Sequence, residues 1–201
     1  MILERIIVGP LEVNCYILGS GGQAVVIDPG AEAEKIRRRL NKLKLKAAYI
    51  VNTHGHADHI AADACLECPI YIHRLDGQFL TDPQLNLSAM LGLPLLISRP
   101  VNFLEHGQHL SVGAISLEVI HTPGHTPGGI CLKGEGLDFV FTGDTLFAQG
   151  VGRTDIPEAS EKDLLNSIRQ RLFTLPDALK IYPGHGPSST IGAEKKNNPF
   201  L

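Results

Sequence analysis

The chain has 201 residues, of which 43% are hydrophobic and 19% charged, proportions typical of an ordinary soluble globular protein. Its formal net charge of -3 gives no reason to expect nucleic acid or an anionic membrane as a partner. The N-terminus has no basic region followed by a long apolar run, and no segment has the roughly 18 uncharged apolar residues of a membrane span. We therefore expect a cytoplasmic protein, and because no linker or repeat interrupts the sequence, one domain over 1–201.

The first third of the chain predicts three strands followed by a helix. Residues 6–8, 14–18 and 24–28 are rich in apolar and β-branched side chains and are separated by turns that contain Gly and Pro. Residues 32–46 carry apolar side chains at helical spacing within a charged segment. The many Lys and Arg residues of this helix are interpreted as a solvated outer face rather than a nucleic-acid surface.

A dense group of polar side chains follows the next predicted strand, 47–51. Residues 53–59 read Thr-His-Gly-His-Ala-Asp-His, and imidazole nitrogens and carboxylate oxygens are ligands that Zn²⁺ prefers. Side chains two apart in an extended segment point the same way, so His54 and His56 can bind one ion together. Asp58 and His59 lie where the chain turns toward a helix predicted over 60–67 and face a different point. The segment therefore predicts two metal positions.

The rest of the chain predicts more strands and a second helical region. Residues 69–72 form a short predicted strand, and Pro and Gly divide 75–100 into short helical or loop pieces. Further strands are predicted near 109–112, 115–120, 129–133, 138–142 and 178–182. Ser160 is expected to cap a helix over 161–173. Two groups of strands, each followed by helices, predict two packed sheets with helices outside them.

Three further polar residues follow predicted strand ends, each in a loop with Gly or Pro: His125, Asp144 and His185. Such tight loops at strand ends are where rigid scaffolds hold functional groups. With the first group they make five histidines and two aspartates, enough for two adjacent metal ions.

The other histidines and the cysteines are expected to have no part in this site. The histidines are His73, His106, His109 and His121. Cys15 and Cys131 are expected to fill core volume. Cys65 and Cys68 have the C-x-x-C spacing without the second pair that a zinc site needs, which leaves structural thiols or an accessory redox or metal role.

This ordered set of residues resembles the metallo-β-lactamase fold family, whose pattern is an Asp after a strand, then His-x-His-x-Asp-His, then His, Asp and His. The resemblance covers 28–185 and implies an α/β protein built as an αββα four-layer sandwich, with the site at the strand-end edge between the two sheets. Its implied ligands are His54, His56 and His125 for the first metal, Asp58, His59 and His185 for the second, and Asp144 as a bridge between them. Asp28 is expected to orient a ligand imidazole, or alternatively only to open a turn.

Within this family the chain resembles a short bacterial subgroup of glyoxalase II, through the run Phe-Thr-Gly-Asp-Thr-Leu-Phe at 141–147 and the closing run after His185. The resemblance implies hydrolysis of a thioester such as S-lactoylglutathione by a hydroxide that bridges two divalent ions, zinc in the first instance, with iron or manganese as alternatives. Asp58 and Asp144 are the implied catalytic residues, with Asp58 taking the proton of the hydroxide.

The chain also departs from full-length glyoxalase II. We expect it to lack the helical C-terminal domain that binds glutathione, and Asp155 stands where that family has a tyrosine. Arg153 is the remaining candidate for binding substrate, although an ion pair with Asp155 is an alternative role. Both departures predict that the thiol part of the substrate is recognised weakly.

Two other activities are compared with thioester hydrolysis. A mononuclear iron enzyme that acts on glutathione persulfide, a persulfide dioxygenase, shares the run Gly-Arg-Thr-Asp at 152–155 and remains the alternative. A β-lactamase is disfavoured because it would need export and typically lacks the aspartate at position 144. The expected partner is thus a small-molecule thioester, with no nucleic acid and no membrane, and the sequence leaves the oligomeric state open.

Overall fold

Two six-stranded sheets form the centre of the computed structural model, which describes residues 1–201 apart from the side chain of Leu91. In the first sheet the strands lie side by side in chain order. They are β1 (Ile2–Val8), β2 (Val13–Ser20), β3 (Gln23–Ile27), β4 (Lys46–Val51), β5 (Ile70–His73) and β6 (Val101–Leu104). The pairs β1–β2 and β2–β3 are antiparallel, whereas β3 to β6 are parallel.

The second sheet is also mixed. Its strands are β7 (His109–Val112), β8 (Ile115–His121), β9 (Ile130–Gly134), β10 (Phe139–Gly143), β13 (Lys180–Pro183) and β14 (Ser189–Thr190). Their order across the sheet is β14-β13-β10-β9-β8-β7, and β10 and β13 are parallel while the other neighbours are antiparallel. A small hairpin of β11 (Leu146–Phe147) and β12 (Gly150–Val151) follows β10.

Short helices cover the outer faces of the sheets. The α-helices are α1 (Ala33–Lys42), α2 (Ala57–Ile60), α3 (Glu161–Ser167) and α4 (Ile191–Asn197). A π-helical turn, Ile168–Leu172, continues α3, and 3-10 turns occupy Asp63–Cys65, Arg74–Thr81 and Ser88–Leu91. The Ser160 hydroxyl accepts a hydrogen bond from the backbone N–H of Asp163, which confirms the predicted helix cap. Within the described chain, every helix is too short or too polar to cross a membrane.

Three apolar clusters separate the four layers. Between the sheets, side chains such as Ile27 from β3 pack with Phe141 from β10. On the outer face of the first sheet, Ile36 of α1 packs against strand residues, and on the outer face of the second sheet Leu164 of α3 does the same. Strands buried on both faces read as continuous apolar runs, as in β2. The predicted αββα sandwich is confirmed.

Several predicted boundaries were wrong. The helix expected over 32–46 ends at Lys42, because Lys44 takes a left-handed conformation (φ 55°) that turns the chain into β4. The helix expected to begin at residue 60 begins at Ala57 and ends at Ile60, so Asp58 and His59 lie on the helix itself. Sequence reasoning did not propose α4, which has only seven residues, too few to show a clear helical period.

Candidate metal centre

Strand ends from both sheets bring the seven predicted ligands to one edge of the sandwich. The histidine-rich segment follows β4, and the other three side chains follow β8, β10 and β13. The two sheets are joined at this edge, since the backbone N–H of Asn14 in β2 donates to the carbonyl of Gly184 and Gly184 donates to Gly143. The seven residues are His54, His56, Asp58, His59, His125, Asp144 and His185.

His54, His56 and His125 form a first group, whose donor atoms all lie within 4.8 Å of one another. His56 Nδ1 and His125 Nε2 are 2.9 Å apart. Burial lowers the pKa of all three imidazoles, and neighbouring imidazoles lower it further. The rings are therefore neutral at physiological pH and each keeps a nitrogen lone pair that a metal ion can accept.

Asp58, His59 and His185 form the second group. Asp58 Oδ2 lies 3.3 Å from His185 Nε2, and the Nε2 atoms of His59 and His185 are also 3.3 Å apart. Burial by itself would lower the pKa of His59, but the nearby carboxylates of Asp58, Asp144 and Asp28 raise it to about 10. These carboxylates thus favour a positive charge at this point, which a metal cation at Nε2 would also supply.

Asp144 lies between the two groups. Its Oδ1 is 3.5 Å from His59 Nε2, and its Oδ2 is 3.7 Å from His125 Nε2 and 3.6 Å from His185 Nε2. A Cβ atom at position 184 would collide with Asp144 Oδ1, so the close approach of the two loops requires glycine there. This carboxylate is the one side chain of the seven that has oxygen atoms directed to histidines of both groups.

Backbone carbonyls orient two of the imidazoles. His125 Nδ1 donates to the carbonyl of Arg153 over 2.9 Å, and His185 Nδ1 donates to the carbonyl of Leu11 over 2.9 Å. With Nδ1 protonated in each ring, the lone pair is on Nε2, the nitrogen that faces the centre of the site. Such hydrogen bonds fix both the tautomer and the ring orientation of metal-binding histidines.

Asp28 and Thr53 lie against two further imidazoles, those of His59 and His54. The Asp28 carboxylate accepts the backbone N–H of Thr53 at Oδ1 and its hydroxyl at Oδ2, each over 2.7 Å. Asp28 Oδ2 also lies 3.1 Å from His59 Nδ1, and Thr53 Oγ1 lies 3.1 Å from His54 Nδ1. Asp28 additionally opens a turn, with Gly30 N–H bonded to its carbonyl. Both expected features of Asp28 are present in the geometry, and sequence reasoning missed Thr53.

The donor atoms fit divalent metal ions. His54 Nε2, His56 Nε2 and Asp144 Oδ1 are buried and have no hydrogen-bond partner in the described part of the chain. A buried polar atom without a partner costs about 1–3 kcal/mol, a cost that a bound cation would remove. A set of imidazole nitrogens and carboxylate oxygens suits a borderline ion such as Zn²⁺, and also iron.

Asp76 is a further residue of this site that sequence reasoning missed. Its Oδ2 accepts the backbone N–H of Gly55 over 2.9 Å and the hydroxyl of Thr126 over 2.7 Å, and its Oδ1 accepts the N–H of Gly128 over 2.6 Å. Burial raises the pKa of this carboxyl to about 6, while the three hydrogen bonds act against that rise. Asp76 therefore joins the loop that carries His54 and His56 to the loop that carries His125.

His121 lies outside the two metal groups, as expected, but contacts the loop that carries His125. Its Nε2 donates to the carbonyl of Pro127 over 2.8 Å, and its ring stacks on His73 with centroids 4.0 Å apart. Neither histidine belongs to the two metal groups. Their contacts stabilise the base of the loop that carries His125.

A pocket of about 550 Å³ is lined by five of the seven side chains, all except His54 and His59, and Arg153 lies on its wall. The guanidinium donates two hydrogen bonds to Asp155, from Nε to Oδ1 over 2.8 Å and from Nη2 to Oδ2 over 2.9 Å. Both side chains are mostly exposed, at 63% and 72%. The ion pair that was the alternative role of Arg153 is therefore formed.

Comparison with known proteins shows the family to which this chain is similar. A family model described as the metallo-beta-lactamase superfamily matches residues 8–185. The probable metallo-hydrolase YqgX of Bacillus subtilis is 38% identical, over 98% of this chain and 96% of its own length. The hydroxyacylglutathione hydrolase GloC of Haemophilus influenzae is 36% identical, over 100% of this chain and 98% of its own length.

Solved structures agree with this similarity. The BLEG-1 B3 metallo-beta-lactamase has a TM-score of 0.92 at 36% identity, covering 100% of this chain and 99% of its own. TTHA1623, in a di-iron-bound form, has a TM-score of 0.90 at 38% identity, covering 98% of this chain and 100% of its own. ETHE1 from Myxococcus xanthus has a TM-score of 0.78 at 29% identity, covering 99% and 84%. Fold, ligand geometry and sequence similarity lead to one conclusion: the chain belongs to the metallo-beta-lactamase superfamily.

Proposed function

We propose that this protein is a metal-dependent hydrolase that cleaves thioesters such as S-lactoylglutathione, using two divalent ions held by the two groups of ligands. The observation that carries the proposal is the position of Asp144, whose carboxylate lies between the groups and reaches histidines of both. A similar protein of the same length named a hydroxyacylglutathione hydrolase supports the reaction class.

Two divalent ions bound here would supply an activated water molecule and a positive charge opposite the carbonyl oxygen of the substrate. Asp58 is positioned to take the proton at Oδ2, since this oxygen belongs to the second group and its side chain is partly open to the pocket. Burial by itself would raise the pKa of Asp58, but His59 and His185 hold it well below its usual range, so the carboxylate is ionised.

The overall reaction adds water across the bond between the carbonyl carbon and sulfur. A new carbon–oxygen bond forms, the carbon–sulfur bond breaks, and the sulfur leaves with the electron pair, giving a carboxylic acid and a thiol. A thiolate is a much weaker base than the amine that leaves from an amide. This site therefore needs no strong protein acid, and a thioester suits it better than an amide.

Purified protein loaded with zinc is expected to contain two metal ions per chain, because seven donor residues are gathered in overlapping groups around two positions. Elemental analysis after growth in medium supplemented with zinc, iron or manganese in turn measures how many metal ions each chain binds and which metal it prefers. Iron is a credible alternative, since the similar TTHA1623 was solved in a di-iron-bound form. One iron per chain, with activity toward glutathione persulfide, would replace the hydrolase proposal with the persulfide dioxygenase alternative.

Release of thiol from S-lactoylglutathione tests the reaction, with the chelator-treated protein as the matched control. The same preparation should be assayed against a chromogenic cephalosporin, because the similar BLEG-1 is described as a B3 metallo-beta-lactamase. Metal-dependent thiol release with little β-lactam turnover supports the proposal. Fast β-lactam hydrolysis without thioester hydrolysis would contradict it.

Arg153→Ala is expected to raise KM for S-lactoylglutathione more than it lowers kcat. The effect should be small, at most about fivefold, because an exposed ion pair already engages the guanidinium and such pairs contribute about 0–1 kcal/mol. Steady-state kinetics on the variant and its parent measure this split. An unchanged KM would remove Arg153 from the substrate site and leave the ion pair as its role.

A further inference from the structure

Beyond the seven ligand residues, the pocket over the candidate metal centre is mostly apolar. Its apolar side chains come from four separate parts of the chain. They are Leu11, Ala57, Leu87, Met90, Phe147, Val151 and Ile156. The ring of Phe147 lies against His185, with centroids 6.2 Å apart. A substrate that reaches the ligands therefore passes between apolar walls.

The few polar groups of these walls are already engaged. Apart from the ligands, Arg153 is the one charged side chain on the described lining, and Asp155 neutralises it with two hydrogen bonds. Asn86 also lines the pocket, but its Nδ2 donates to the carbonyls of Phe79 and Leu95, and its Oδ1 accepts the N–H of Ser88. The carboxylates of glutathione would find no unpaired cation on this described surface.

One apolar wall is held in a strained conformation next to the first metal group. Leu87 has φ 68°, in the left-handed region that residues other than glycine rarely adopt. The neighbouring Asn86 fixes this segment, since its carbonyl accepts the backbone N–H of Ala57, directly after His56. Such strain persists only where the surrounding contacts impose it, and it is concentrated at functional sites. Leu87 and the nearby Met90 both line the pocket.

We infer that the substrates of this pocket are thioesters whose acyl group is uncharged and apolar, with a chain of several carbons that packs on Leu87 and Met90. This inference rests on the proposed thioester hydrolysis and adds the class of acyl group. Met90 is 77% exposed, so its thioether side chain is free to bury against a ligand. Because Leu87 follows Asn86, whose carbonyl accepts the N–H of Ala57 next to His56, the acyl chain is placed on the side of the first metal group.

A series of thioesters with one small neutral thiol, N-acetylcysteamine, tests the acyl preference on zinc-loaded protein. The acetyl, butyryl and hexanoyl thioesters are compared, with lactoyl-N-acetylcysteamine and S-lactoylglutathione as a pair that differs only in the thiol. A fully buried methylene contributes about fourfold, so partial burial of the longer chain should raise kcat/KM about tenfold from acetyl to hexanoyl. The two lactoyl thioesters should differ by less than about threefold in KM.

Met90→Ser should reduce the preference for hexanoyl over acetyl, measured as the ratio of the two kcat/KM values, to about twofold. Leu93→Ser is the matched control, because Leu93 is equally exposed at 78% and lies in the same segment but not among the described lining residues. Titration calorimetry with the product acids gives a readout without turnover: hexanoate should bind more tightly than acetate, and Met90→Ser should remove the difference.

The outcomes separate the two proposals. Thioester hydrolysis with no dependence on chain length, or a much lower KM for the glutathione thioester, would overturn the apolar acyl class and leave thioester hydrolysis in place. A second outcome is that no thioester is hydrolysed, but the affinity for product acids still rises with chain length and Met90→Ser removes that rise. This result would overturn thioester hydrolysis and support the apolar acid site. If Met90→Ser and Leu93→Ser reduce the preference for hexanoyl over acetyl equally, the inference is also overturned.

Discussion

Asp144→Ala is expected to lower turnover by at least about a thousandfold, a rise of ~4 kcal/mol in the activation free energy, while the chain stays folded. Asp144 is the side chain placed between the two groups, so its loss leaves each with three donors and removes their shared ligand. Bound metal should fall from two ions per chain to one or fewer. Thermal unfolding monitored by circular dichroism, elemental analysis and thiol release on the same sample measure the three properties together.

Asp138→Ala is the matched control for this variant, since Asp138 is an exposed aspartate between β9 and β10 that lies away from the pocket over the ligands. It should keep both metal ions and near-normal turnover. Near-normal turnover in a folded Asp144→Ala protein would show that the bridging role is assigned to the wrong residue.

Asp76→Asn is expected to weaken both the fold and metal binding. The carboxylate accepts three hydrogen bonds from two loops, and an amide would place an N–H group opposite at least one of those donors. Hydrogen bonds to charged groups contribute about 1.5–3 kcal/mol each, so the free energy of unfolding should fall by about 3 kcal/mol. In a chain of this size such a loss lowers Tm by roughly 10 °C.

Metal affinity reports the positioning role of Asp76 separately from stability. The residue holds the segment of His54 and His56 against the loop of His125, so affinity at the first group should fall about 10- to 100-fold, as for other residues that orient ligands. The control is Asp63→Asn, which changes a second fully buried aspartate whose Oδ2 accepts the Asn52 amide. Equal loss of metal affinity in both variants would mean that Asp76 acts only through general stability.

Local sequence predicted the histidine-rich part of the site and the architecture. His54, His56, Asp58 and His59 are adjacent in sequence, so short-range geometry alone places them together once β4 ends at Val51. The strand and helix patterns were also visible, because apolar periodicity is a property of each segment by itself. Helix ends were less certain, since the left-handed turn at Lys44 depends on where β4 must begin.

Contacts between distant segments were decided only by the tertiary structure. Asp76 lies 21 residues from Gly55 and 52 from Gly128, and its own sequence surroundings show no motif. The apolar walls beside the ligands come likewise from segments far apart in the chain, and the strain at Leu87 arises from the contacts of Asn86. By itself the sequence predicted which side chains carry the chemistry, and the fold brings these side chains to one edge of the sandwich. Tertiary structure alone decided which groups hold and surround them, because hydrogen bonds and packing across loops depend on the register of both sheets.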